Sequence, residues 1–95
     1  MAGLRFTWDR RKATSNRRKH GVTFEEARTV FYDEYAVLID DPDHTGDDDR
    51  FVLLGMSGST RILVVVHCYR ADGDIIRIIS ARRANSSERG DYPGR

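Results

Sequence analysis

The order of apolar and polar positions divides the chain into a first third with helical spacing and a second half with strand spacing. Leu4-Arg5-Phe6-Thr7-Trp8 alternates at period two, which predicts a short strand ending at Trp8 with one buried face. Asp9 follows in the place of an N-cap, and no Gly or Pro intervenes before His20-Gly21, where Gly suits the left-handed position that closes a helix. Ala13 is nearly alone as an apolar residue inside that helix, so the helix can bury a thin stripe and no more. Thr23 and Glu26 have the spacing of a capping box, and Phe24, Ala27 and Phe31, with Val30 beside them, give a second helix the core-facing stripe that the first lacks.

From there the pattern changes to strands. Residues 36–39 form a short apolar run, broken by Asp40-Asp41-Pro42-Asp43 and followed by an acidic loop to Asp49. Residues 51–56 and 62–69 are β-rich and are separated by Ser57-Gly58-Ser59-Thr60, which suits a hairpin connection. Asp72-Gly73 is a strong hairpin signal leading into the strand at 75–79, and Asn85 to Glu88 can cap a last short helix, which Gly90 and Pro93 should keep to a turn or two. The expectation is one α+β domain over residues 1–95. Its sheet is an antiparallel meander, with two amino-terminal helices packed on it and a short carboxy-terminal helix.

Composition narrows the classes. A chain of 95 residues with 39% hydrophobic content supports one core, and any site must be shallow or lie on a face. Cys68 has no second cysteine to pair with, which points to a reducing, cytoplasmic setting. The longest apolar run, residues 62–66, is far too short to span a membrane, and the first residues carry no signal-peptide pattern. The net charge of +1 conceals segregation: residues 5–20 carry seven basic residues against Asp9, residues 25–50 carry ten acids against two arginines, and five arginines follow from position 77. Basic ends around an acidic middle suit either a polyanion or an oppositely charged partner, and equally a solvated surface.

Lys12, Asn16, Lys19 and His20 fall on one helical stripe, which suits phosphate, although cations at a helix C-terminus are also favoured by the macrodipole alone. Arg77 interrupts four isoleucines, with Arg82 and Arg83 at the end of the same strand. A charge in that setting requires compensation, by an acid such as Glu26 or by a substrate phosphate held through two parallel hydrogen bonds. His67 alternates in step with Leu63, Val65 and Tyr69; it reads as structural, or as a general base if it shares a face with Arg77. No metal or cofactor is expected. A calcium loop opening at Asp41 would have Val52 where a bidentate glutamate is required, and His67 beside Cys68 lacks zinc-site spacing.

These residues resemble a known family. Trp8-Asp9, Lys12, Asn16, Lys19-His20-Gly21-Val22, Phe24, Glu26-Ala27 and Val30-Phe31 are similar to the opening of BrnT toxins. Leu63 to Val66, Arg70, Ile76-Arg77-Ile78-Ile79-Ser80-Ala81-Arg82 and Glu88-Arg89 with Tyr92 are similar to their close. The resemblance implies a RelE/ParE-like fold and a metal-independent endoribonuclease that attacks phosphate with the ribose 2′-OH and blocks translation. It also implies inhibition by a BrnA-type antitoxin with a ribbon-helix-helix region, in an assembly such as 2:2, with DNA reached only through that antitoxin. Arg77 and Arg82 then become candidate phosphate stabilisers, Lys19 and His20 candidate positioning or proton-transfer groups, and Lys12, Asn16, Arg83 and Tyr92 candidate substrate contacts. Gly90 and Pro93-Gly94 depart from the family pattern and predict a weak last helix. The competing readings are a partner-binding module without nuclease activity and, less well supported by the pattern, direct DNA binding by the basic helix.

Overall fold

The computed structural model describes residues 3–41 and 49–94. The first helix, α1 (Arg10–His20), forms where its caps dictate. The Asp9 carboxylate accepts from the N–H groups of Arg11 (2.8 Å) and Lys12 (3.2 Å), and Gly21, at φ 69°, returns its N–H to the Arg17 carbonyl at 2.8 Å. Arg17, Arg18, Lys19 and His20 occupy the last turn, where the negative end of the helix dipole favours cations. The second helix, α2 (Phe24–Thr29), continues as a 3-10 turn over Val30–Tyr32. Thr23 Oγ1 caps it by accepting from Glu26 N–H at 3.0 Å. The reciprocal half of the expected capping box is missing, because the Glu26 side chain bonds instead to Arg61 and Ser57.

Five strands follow the order β1-β5-β4-β3-β2 in one sheet: β1 (Phe6–Thr7), β2 (Val37–Ile39), β3 (Phe51–Met56), β4 (Ile62–Arg70) and β5 (Ile75–Arg83). The meander β2 to β5 is antiparallel as expected, whereas β1 pairs parallel with β5, so the sheet is mixed. Period-two alternation is common to both pairings, and a parallel pair needs a long crossover, which the whole intervening chain supplies. The hairpin between β3 and β4 closes through Ser57 N–H to Arg61 O at 2.8 Å, and the turn before β5 uses positive φ at Ala71, Asp72 and Gly73.

The two faces of the sheet are covered differently. Val22, Phe24, Ala27 and Val30 from the helical layer pack on Leu63, Val65, Ile78 and Ala81, making the main core. On the other face, Val52, Leu54 and Val64 are covered by Ala84 and Tyr92 at the carboxy-terminal end. The last helix, α3 (Ser86–Asp91), forms despite Gly90. Asn85 and Glu88 complete a capping box at its start, and Tyr92 anchors its end in the second cluster. The acidic loop expected between β2 and β3 lies mostly at 42–48, outside the described residues.

Candidate functional site

Arg77 and Arg82 are five residues apart, and a regular strand would turn them to opposite faces. The pairing of β5 with β4 corrects this. Ser80 pairs with Val66 and Ile78 with His67, so Ile79 is an extra residue on β5, a bulge that restarts the alternation. Arg77 therefore lies beside Cys68 and Arg82 beside Val64, two positions of β4 that share a face because they differ by an even number. His67 is one residue off and points to the helical face, away from Arg77. It is 1% exposed, with its ring edge-on to Phe31 at 4.8 Å and its Nδ1 3.3 Å from Val65 O. Burial pushes its pKa down and outweighs the opposing hydrogen bond, so the imidazole is held neutral as a core residue.

The sheet face that carries the two arginines is open near the end of α1. There Lys19 and His20 meet Ser80 and Arg82 around a hollow of about 290 Å³, floored by Val52, Val64 and Val66 and bordered by Asp41. Gly21 ends α1 at the point that brings Lys19 and His20 to this hollow. Arg82 is held in a two-pronged ion pair, Nη1 to Glu88 Oε1 at 2.8 Å and Nη2 to Glu88 Oε2 at 2.9 Å. The hydrogen bonds from Arg82 hold the Glu88 carboxyl below its usual range against the effect of burial. Glu88 is thus a cap for α3 and a strut for Arg82 at once.

Arg77 lines a separate hollow with Lys12, Arg50 and Arg70. The acid considered as its partner is elsewhere: Glu26 accepts from Arg61 Nε at 2.9 Å and from Ser57 Oγ at 2.7 Å, and a further Arg61 Nη2 bond lowers the Glu26 pKa. Arg83 is exposed and pairs with Leu63, which places it on the helical face, opposite to Arg82.

Two expected substrate contacts are instead interior. Asn16 is 7% exposed, and its amide works as a piece of strand where β1 has ended and the edge of β5 would otherwise be bare. Its Nδ2 donates to Ala81 O (2.8 Å) and Val22 O (3.0 Å), and its Oδ1 accepts from Ala81 N–H (3.0 Å). Tyr92 is 3% exposed and donates its Oη proton to Asp33 Oδ2 at 2.7 Å. Burial and that carboxylate push the Tyr92 pKa up to about 12. Ser80, Arg70 and Glu88 are site neighbours that pattern reading did not single out. Ser80 and Arg70 carry no signal beyond their place in the motifs, and Glu88 reads from the sequence as a helix cap and a motif position, not as a partner of Arg82. Among the described residues, no group of His, Cys, Asp and Glu could hold a metal ion, and no helix is long and apolar enough to cross a membrane.

No curated protein matches the sequence significantly. Among solved structures, the Brucella abortus ribonuclease toxin BrnT is similar in fold, with a TM-score of 0.68 at 21% identity over 88% of this chain and 100% of that one. The family model of BrnT, the ribonuclease toxin of type II toxin-antitoxin systems, matches residues 8–88, a stretch from Trp8 to the Glu88 strut that contains the whole basic face. The chain therefore belongs to the BrnT family of ribonuclease toxins.

Proposed function

We propose that this chain is a metal-independent endoribonuclease that cuts RNA at the hollow formed by Lys19, His20, Ser80 and Arg82, and so blocks translation. The observation that carries the reading is the convergence there of a proton carrier and two cations from opposite ends of the sequence. In the proposed step the ribose 2′-OH gives its proton to His20, the O2′–P bond forms, and the P–O5′ bond breaks. The leaving O5′ takes a proton from Lys19 or water, giving a 2′,3′-cyclic phosphate and a 5′-OH end. Arg82, kept in place by Glu88, and the Lys19 ammonium stabilise the charge on the phosphorane oxygens. A RelE/ParE-like relationship is part of the same reading.

The test is incubation of partner-free protein with RNA in the presence of a chelator, with end-group analysis of the products. His20→Ala and Arg82→Ala should each lower kcat about 10²-fold or more, the range for loss of an acid-base group or an electrostatic stabiliser. Full activity in both variants would refute the assignment.

As a type II toxin the chain has an antitoxin partner, for which we propose the BrnA type, with a ribbon-helix-helix region, a 2:2 assembly, a cytoplasmic location and DNA contact only through that partner. The antitoxin should cover basic residues, Lys19 and Arg77 among them. A second reading, a partner-binding module without nuclease activity, is favoured by the hollow of about 710 Å³ between α1 and α2. There Arg10, Arg17 and Arg18, with Glu25, stand around the half-buried Trp8 and Ala13, suited to an acidic segment with an apolar anchor. Intact RNA at every pH tested with partner-free protein would select this reading.

A further inference from the structure

The cations around Arg77 are set apart from the cleavage hollow and ask for a ligand of their own. Lys12, Arg70 and Arg77 line a hollow of about 610 Å³ whose other walls include Arg50, Asp49 and Cys68. Arg70 follows Cys68 by two positions on β4 and Arg77 pairs with Cys68, so both lie on the open face that also carries Arg82. Among the described residues, the side chains of Lys12, Arg70 and Arg77 have no hydrogen bond or ion pair. Lys12 and Arg77 act on Asp9 at Coulombic range, while the Asp9 carboxylate itself is occupied in capping α1. Three cations gathered without an ion-pair partner repel one another, and an anion supplied from outside relieves that repulsion.

We propose that this hollow is a second phosphate subsite, holding a phosphate of a single RNA strand away from the bond that is cut. The inference rests on the ribonuclease reading and adds the form of the substrate to it. Arg77 and Arg82 lie beside β4 positions four residues apart, roughly 13 Å at about 3.3 Å per residue, while stacked nucleotides in one strand advance about 3.4 Å each. One strand lying along β5 fills both hollows, whereas a dinucleotide centred on Arg82 reaches one. The bulge at Ile79 makes this possible, because without it Arg77 and Arg82 would face opposite ways. Arg77 is then a substrate-binding group for a neighbouring phosphate and does not touch the scissile one.

Binding of fluorescent 2′-O-methyl oligouridylates of two and eight nucleotides, which lack the attacking hydroxyl, tests this against salt concentration. The intact protein should bind the eight-mer at least tenfold more tightly than the two-mer. Arg70→Ala and Arg77→Ala should each lower the slope of log affinity against log salt for the eight-mer by about 0.7, the value of one lost single-strand phosphate contact. Both should also shrink the eight-to-two ratio, and Arg77→Lys should restore most of the slope because it keeps the charge. Thermal melts within a few degrees of the parent show that the variants are folded. An unchanged slope and ratio in both alanine variants overturns the subsite while leaving the ribonuclease reading intact. So does an equal loss on both oligonucleotides, or weakened binding of an acidic antitoxin peptide with RNA binding unaltered. Failure of the intact protein to bind either oligonucleotide overturns both.

Discussion

Replacing Asn16 should affect folding before it affects chemistry. The Asn16 amide satisfies the N–H and C=O of Ala81, a residue 1% exposed, and the carbonyl of Val22, which is fully buried. Asn16→Ala removes three hydrogen bonds, worth about 1 kcal/mol each, and a backbone N–H left unsatisfied inside the protein adds about 1 kcal/mol or more. Water reaching the vacated space offsets part of this, leaving a loss of about 3 kcal/mol. A chain this size has roughly 5–14 kcal/mol in total, and about 4–8 °C of Tm accompanies each kcal/mol, so Tm should fall by roughly 12–24 °C. Asn16→Asp sharpens the test, because a carboxylate cannot donate to two carbonyls. Its folded pKa should be raised above the unfolded value of about 3.9, so the native state binds the extra proton. The stability that this proton confers is full at low pH and is lost as pH rises through the folded pKa. Urea unfolding followed by far-ultraviolet circular dichroism should show the deficit of Asn16→Asp relative to the parent growing from pH 4.5 to pH 7. A parent-like Tm for Asn16→Ala, with RNA cleavage alone impaired, would refute the strand-edge role and return Asn16 to the substrate.

Gly55→Ala should destabilise by about 1–3 kcal/mol in urea unfolding, because a Cβ there would lie 2.8 Å from both Ala36 Cβ and Val30 Cγ1 in a packed region. Tyr92→Phe removes the bond to Asp33 but leaves Asp33 Oδ2 its 2.8 Å bond from Met56 N–H. A loss of about 1 kcal/mol, seen as roughly 4–8 °C in Tm, is expected with no change in cleavage of RNA. His67 has a folded pKa below its ordinary 6.5, so the unfolded chain binds the extra proton, and stability should fall as pH drops from about 6.5 through the folded value. His67→Leu should flatten that limb of a Tm-against-pH curve, and an unaltered curve would contradict the burial of a neutral ring. Glu88→Gln should weaken the hold on Arg82 and lower kcat by more than it alters KM, whereas equal effects of Glu88→Gln and Asn85→Ala would reduce Glu88 to a helix cap.

Elements whose causes are local are legible in the amino-acid order. Asp9 and Gly21 bound α1, Thr23 starts α2, β-rich runs separated by turn residues mark β3 to β5, and the motifs spread from Trp8 to Glu88 identify the family. The same order also brings Lys19, His20, Arg77 and Arg82 forward as candidates, since unusual residues in regular patterns are visible one position at a time. Which of them meet depends on contacts between elements far apart in the chain. Whether β1 runs parallel or antiparallel depends on its partner and not on its own alternation. The face on which Arg82 lies depends on a bulge defined against β4. The partner of Asn16 is 65 residues away, and that of Glu26 is 35 residues away. Periodicity records which residues one element buries, whereas a site is made by register between elements. A shift of one residue in that register turns every later side chain to the other face.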